Sequence, residues 1–165
     1  MNDAPIKAAF FVKKDGVLLA PLKSLEGKSE VSLFVRGAPR AAPRPRAGRN
    51  AVYHDNSADA WMSQVTMNYV ILRRAPLTGP VELNLQFLFD RPKKDAVRFW
   101  KDSKPDIDNL EKAVMDALTR ARAWKDDAQV VQMQSLKRYA LPDEPSGVHI
   151  EIVTLDTPAL KEVMA

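Results

Sequence analysis

The chain has 165 residues, of which 45% are apolar, and carries a formal net charge of +4. That is enough apolar chain for one ordinary domain with its own core, and it excludes a disordered polyelectrolyte. Cysteine is absent, which rules out disulfides and thiolate metal sites and fits a reducing cytoplasm. No apolar run reaches transmembrane length or makes a signal peptide, so no membrane association is expected.

Residues 1–30 read as an N-terminal extension. Within it, Ala8–Val12 and Val17–Leu19 flank a Lys-Lys-Asp-Gly turn signal and predict a small hairpin. A regular pattern starts at Val31. Val31, Leu33 and Val35 alternate with Ser32, Phe34 and Arg36, which predicts a strand. Pro39, Pro43 and Pro45 then forbid regular structure, and a short strand is read over Ala51–Tyr53. Asp55, Asn56 and Ser57 offer helix-capping chemistry. Ala58, Trp61, Met62, Val65, Tyr69 and Leu72 follow at helical spacing, predicting a helix to about Arg74. Val81, Leu83, Leu85, Phe87 and Phe89 alternate with mostly polar residues and predict a half-buried strand. A second helix is expected from Asp106 or Asp108 to about Ala121, with Leu110, Ala113, Val114, Ala117 and Leu118 forming its apolar stripe. Strands at about 129–139 and 148–154 close the domain, and residues 157–165 read as a tail. The order predicts an α+β domain over residues 31–156: a small mixed or antiparallel sheet with two main helices packed on it.

Charge is distributed unevenly. Arg36, Arg40, Arg44, Arg46 and Arg49 occupy one acid-free stretch, and Arg91, Lys93, Lys94, Arg98, Lys101 and Lys104 a second against Asp95 and Asp102. Solvated loops and phosphate-binding loops both fit such runs. The acidic residues are more informative. Asp106 and Asp108 fall at the start of the second helix, beside its positive dipole end, with Lys112 one turn on. Asp108-Asn-Leu-Glu111 also reads as a capping box, and Asp108 with Lys112 as an ordinary i,i+4 pair. Asp126 and Asp127 repel each other at the entrance to a strand, which a cation would relieve. Carboxylates without Cys or suitably spaced His suggest a hard cation, Mg²⁺ or Mn²⁺. No small-molecule cofactor is indicated. His54 and His149 lack ligand spacing, Met62, Met67 and Met115 read as packing, and Phe99-Trp100 fits either stacking on an unpaired base or an apolar contact.

The run Lys104-Pro-Asp-Ile-Asp-Asn-Leu-x-Lys-x-x-x-Asp-Ala-Leu, followed by Trp124-Lys-Asp-Asp-Ala-Gln-Val-Val, resembles the signature of the RusA-type Holliday junction resolvases. The Val-Arg-Gly-x-Pro strand and the Arg-Pro-Arg loop extend the resemblance to about Val31–Leu155. It implies a metal-dependent, intertwined homodimer that cuts four-way DNA junctions at symmetric positions. Residue by residue, it implies catalytic Asp106, Asp108 and Asp127 holding Mg²⁺, with Asp126 as a further candidate ligand and Lys112 as the essential lysine. Arg40, Arg44, Arg46, Arg49, Lys93, Lys94, Arg98, Lys101 and Lys104 would then hold DNA phosphates. Phe87, Phe89, Phe99 and Trp100 offer apolar material for a dimer contact. One departure is visible: the turn after the second helix usually contains Gly, where this chain has Arg120-Ala-Arg-Ala-Trp124. A broader branched-DNA or flap nuclease, and a non-catalytic DNA-binding recombination accessory protein, remain as alternatives.

Overall fold

The computed structural model describes residues 12–14, 17–19, 27–42, 56–93 and 97–156. Strands β1 (Val12–Lys14) and β2 (Val17–Leu19) pair antiparallel, so the predicted hairpin forms. Of its expected first strand the described part is Val12–Lys14; residues 8–11 lie outside the described residues. Strand β3 (Gly27–Arg36) begins four residues before the expected Val31. It pairs along its whole length with β6 (Gly147–Leu155), from Gly27 opposite Leu155 to Arg36 opposite Gly147. Arg74 fastens this early segment by donating to the Glu30 carbonyl at 2.7 Å. The strand expected at Ala51–Tyr53 lies outside the described residues.

Helix α1 (Asn56–Val70) stops short of the expected Arg74. Ile71 and Leu72 form a turn, and Arg73 adopts a left-handed φ of 49°. Between β4 (Val81–Phe89) and β5 (Val130–Tyr139) runs helix α2 (Ile107–Arg120). The described strands form a mixed sheet in the order β3-β6-β4-β5, in which β4 and β5 are parallel and the other neighbours antiparallel. The α+β expectation therefore holds, with β4-α2-β5 as a crossover unit. Among the described residues, no helix is long and apolar enough to cross a membrane.

Helix–sheet packing follows the apolar stripes. Leu110, Ala113, Val114, Ala117 and Leu118 of α2 are buried, as their spacing predicts. They share one core with Trp61, Met62, Val65 and Tyr69 of α1 and with Val81, Leu83, Leu85, Phe87 and Phe89 of β4. Each large side chain so buried contributes about 1.5–3 kcal/mol. The two helices are tied where the Thr66 hydroxyl donates to the Ala117 carbonyl at 3.0 Å.

Three expectations change. β4 is buried on both faces rather than half-buried: it is flanked by β6 and β5, whose side chains lie over its polar row, as where Asn84 donates to Glu151 at 3.5 Å. Glu82, on that row, is fully buried and accepts from Gln134 Nε2 at 2.9 Å. Phe87 and Phe89 belong to the chain's own core and offer nothing to a dimer surface. Met67 is exposed rather than packed, and with Val70, Ile71 and Leu72 it forms an apolar surface at the end of α1.

Strand directions fix two ends of the domain. The C-terminal ends of β3, β4 and β5 lie together with the start of β6, since Arg36 and Leu88 both pair with Gly147 and Phe89 with Tyr139. The beginnings of β4 and β5 lie at the other end, with Val81 opposite Val130 and Thr154. Helix α2 spans from the first end to the second. Lys137, late in β5, contacts Pro105 just before the helix, while Leu77, just before β4, meets the turn after the helix, its N–H donating to the Ala123 carbonyl at 2.7 Å.

Candidate active site

Asp106 occupies the N-cap position of α2, with extended backbone (φ −72°, ψ 145°) and no side-chain capping bond. Asp108 lies within the first turn and is exposed like Asp106. The capping box read into Asp108 and Glu111 therefore does not form, because the helix starts two residues earlier than that reading requires. Two carboxylates thus stand at the solvent-facing start of α2.

The loop that delivers them is braced by two lysines. Lys137 Nζ donates to the carbonyls of Ser103 at 2.9 Å and Pro105 at 2.7 Å. Lys101 Nζ donates to Ser103 Oγ and the Lys104 carbonyl, both at 2.6 Å, and lies 5.2 Å from the Phe89 ring centroid. Burial holds the Lys101 ammonium below the ordinary lysine range, with Asp102 opposing that shift. The sequence reading assigned Lys101 to DNA; here its ammonium is turned onto the loop. Lys137 was missed altogether. A readable signal existed: Lys137 pairs with Phe87, on the row of β5 that faces the helices, where a charge requires a partner.

Other cations gather at this end. After β3 the chain turns at Gly37, whose φ of 114° suits a residue without Cβ. The turn leads to a bond from the Ala42 N–H to the Asn109 carbonyl at 3.1 Å, which brings exposed Arg40 towards the start of α2. Lys93, Arg98 and Lys104 are exposed on the loop between β4 and α2, and Arg98 pairs with Asp102 at 3.2 Å. Arg91 is used internally, donating to the Arg98 carbonyl at 2.6 Å. Arg44, Arg46, Arg49, Lys94 and His54 lie outside the described residues.

Lys112 does not meet Asp108 as the spacing suggested; its ammonium goes to Asp116, one turn on, at 3.1 Å. Asp126 caps the one-turn 3₁₀ helix at Asp127–Gln129, accepting from the Ala128 N–H at 2.8 Å, while Gln129 Oε1 accepts from the Asp126 N–H. Gln129 Nε2 donates to the carbonyls of Leu77 and Gly79. Asp127 is exposed, and these bonds fix it at the end of the domain where β4 and β5 begin. A helix of 14 residues separates it from Asp106, which is about 20 Å at 1.5 Å per residue. One chain therefore places Asp106 and Asp108 at one end of α2 and Asp127 at the other. Among the described residues, no three acidic or histidine side chains converge on a point where a metal ion would sit.

The departure after α2 also resolves. Arg122 adopts φ 57°, with its N–H donating to the Thr119 carbonyl and the Ala123 N–H to the Leu118 carbonyl, both at 3.0 Å. This is a Schellman C-cap with arginine at the left-handed position that glycine favours. His149 is half-buried against the Phe34 ring, with centroids 4.5 Å apart, and burial lowers its pKa.

With this geometry in view, comparison with known proteins is specific. The family model for the endodeoxyribonuclease RusA matches residues 36–153. The chain belongs to the RusA endodeoxyribonuclease family. It is 36% identical to a crossover junction endodeoxyribonuclease of Lactococcus phage r1t, over 44% of this chain and 53% of that protein. The chain thus spans about half the length of that phage relative. It is 32% identical to protein YqaN of Bacillus subtilis, over 70% of this chain and 90% of that protein. With the crossover junction endodeoxyribonuclease RusA of Escherichia coli K12 it shares 59% identity over 19% of this chain and 27% of that protein.

Proposed function

We propose that this chain is a Mg²⁺-dependent endodeoxyribonuclease that resolves four-way DNA junctions in the cytoplasm by paired symmetric cleavage, working as a homodimer. The observation that carries this reading is the exposed Asp106/Asp108 pair, presented on a lysine-braced loop amid cations. The family, and relatives described as crossover junction endodeoxyribonucleases, supply the substrate class.

The donor set fits the ion. Magnesium is held by one or two carboxylates and leaves its remaining positions to water and phosphate oxygens. Asp106 and Asp108 are such a pair, and Asp106 has no capping duty to give up. Mn²⁺ would satisfy the same ligands. When bound, the ion would act as a Lewis acid on the scissile phosphate and on the attacking water.

The chain's own residues do the rest. Lys112 leaves Asp116 for a phosphate oxygen at low cost, since an exposed ion pair contributes about 0.2–1 kcal/mol, and there offsets charge in the transition state. Lys101 and Lys137 keep the loop from drifting. Arg40, Lys93, Arg98 and Lys104 hold backbone phosphates, which gives affinity rather than sequence preference.

Asp127 requires a second chain. Held about one helix length from Asp106 in its own chain, it joins a site only where a two-fold-related copy delivers it. Exposed Met67 and Val70 of α1 and Ile71 just after it, with Val131 on the edge strand β5, lie towards the same end as Asp127 and suit such a contact. Cleavage of a synthetic four-way junction with and without Mg²⁺, by wild type and Asp108→Asn, tests the reading. Near-normal turnover by the variant, or activity after exhaustive chelation, would remove it.

A further inference from the structure

Trp100 stands half in solvent, 51% exposed, whereas Trp61 and Trp124 are buried at 3% and 2%. It is not loosely held. Its backbone bridges Arg138 antiparallel on β5, the Tyr139 N–H donates to the Phe99 carbonyl at 2.9 Å, and the Lys101 N–H donates to the Lys137 carbonyl at 3.4 Å. Residues 99–101 are thus tied by a β-bridge to the sheet edge. The Phe99 ring meets the indole edge-on, with centroids 4.7 Å apart at 82°, and the Arg138 guanidinium lies 5.7 Å from the Phe99 centroid.

The surroundings say what this ring is for. Lys93, Arg98 and Lys104 are exposed on the same loop, with Asp102 offsetting one of them. A cationic rim favours a polyanion over an apolar protein surface. The indole also hangs from the same strand end as Asp106: Lys137 takes the Lys101 N–H on its carbonyl and gives its ammonium to the Pro105 carbonyl.

We propose that Trp100 is a stacking platform that takes the face of an unpaired DNA base beside the scissile strand. In a continuous duplex every base face is already covered, so this ring gains nothing from linear DNA. At a branch point stacking is interrupted, and an aromatic face accepts any base, which makes the contact selective for structure and tolerant of sequence. The proposal rests on the nuclease reading above and adds the residue that distinguishes branched from linear DNA.

Because the other two tryptophans are buried, the emission lost in Trp100→Phe reports Trp100. The test titrates the full-length Asp108→Asn protein, with and without Trp100→Phe, with a fluorophore-labelled four-way junction and with linear duplex. Binding is followed by anisotropy of the label and stacking by tryptophan emission. The expected result is quenching of the Trp100 component by junction and not by duplex. In Trp100→Ala, junction affinity falls roughly tenfold, duplex affinity stays within about twofold, and Trp100→Phe recovers most of the loss. Unchanged Trp100 emission on saturated junction overturns the platform and leaves the nuclease standing. Emission that shifts with protein concentration in the absence of DNA, and not with junction, assigns the ring to a contact between copies instead. Failure to bind junction at all overturns both readings.

Discussion

The Lys137 ammonium donates to the Pro105 carbonyl at 2.7 Å, so a residue late in β5 fixes the backbone immediately before Asp106. With Lys101, it satisfies the carbonyls of Ser103, Lys104 and Pro105, which would otherwise be held by water alone. The carboxylates at the start of α2 are thereby positioned by the sheet as well as by their own helix.

Lys137→Met should consequently lower the cleavage rate more than it lowers binding. A displacement of about 1 Å at a reacting group costs on the order of 100-fold. The expected outcome is a 10- to 100-fold fall in single-turnover rate, junction affinity within a few-fold of wild type, and partial recovery in Lys137→Arg. Equal losses in rate and affinity, unrecovered by arginine, would place Lys137 in DNA binding instead.

At the other end of α2, Arg122→Gly should stabilise the protein. A side chain at φ 57° carries about 1–2 kcal/mol of left-handed strain, and glycine's greater freedom in the unfolded chain returns part of that. The net gain is about 0.5–1 kcal/mol, a rise of roughly 1–4 °C in Tm for a chain of this size. Thermal denaturation of the two proteins checks the sign, and a lower Tm in the variant would mean that the Arg122 side chain makes a contact worth more than the strain.

Stability should fall with acid in two stages. Burial lowers the His149 pKa below its ordinary 6.5, so the unfolded chain binds the proton more readily. This contribution is complete above about pH 6.5 and declines as pH falls below it. The Arg138 guanidinium, bonded to Glu144 at 2.6 and 2.8 Å, lowers that carboxyl below its ordinary 4.5. Its contribution is present above about pH 4.5 and is lost as pH falls through the folded value. Tm measured from pH 8 down to about pH 2 should show both stages, and His149→Phe should remove only the upper one.

The two-chain site gives a mixing experiment. Asp106→Asn and Asp127→Asn should each be inactive alone. If a site takes Asp106 from one chain and Asp127 from its partner, a mixed dimer regains one intact site and loses the other. The mixture should then nick junctions without cutting both strands. No recovery after verified subunit exchange would confine all three aspartates to one chain or remove Asp127 from the site.

The periodic elements were legible because burial leaves a period in the sequence. Leu110 to Leu118 gave the α2 stripe, and the odd-numbered residues of β4 gave its helix-facing row. The burial of Glu82 was not legible, since it depends on β4 lying centrally between β6 and β5, a fact of strand order that alternation does not encode. The candidate aspartates were readable from their order and spacing, but their separation was not. Asp126 and Asp127 lie close to α2 in sequence, yet the parallel pairing of β4 with β5 carries them to the far end of the sheet. Lys101 was read as a surface cation, since nothing local shows that it turns onto Ser103 and Lys104.

Cleavage of a supercoiled cruciform plasmid by wild type and Asp108→Asn, in Mg²⁺ and after chelation, tests the central claim most directly. The account predicts linear product from paired cuts by wild type in Mg²⁺. It predicts none after chelation, and a loss of several orders of magnitude in the variant while junction binding persists. Linear product from Asp108→Asn at a near wild-type rate, or from the chelated protein, would contradict it.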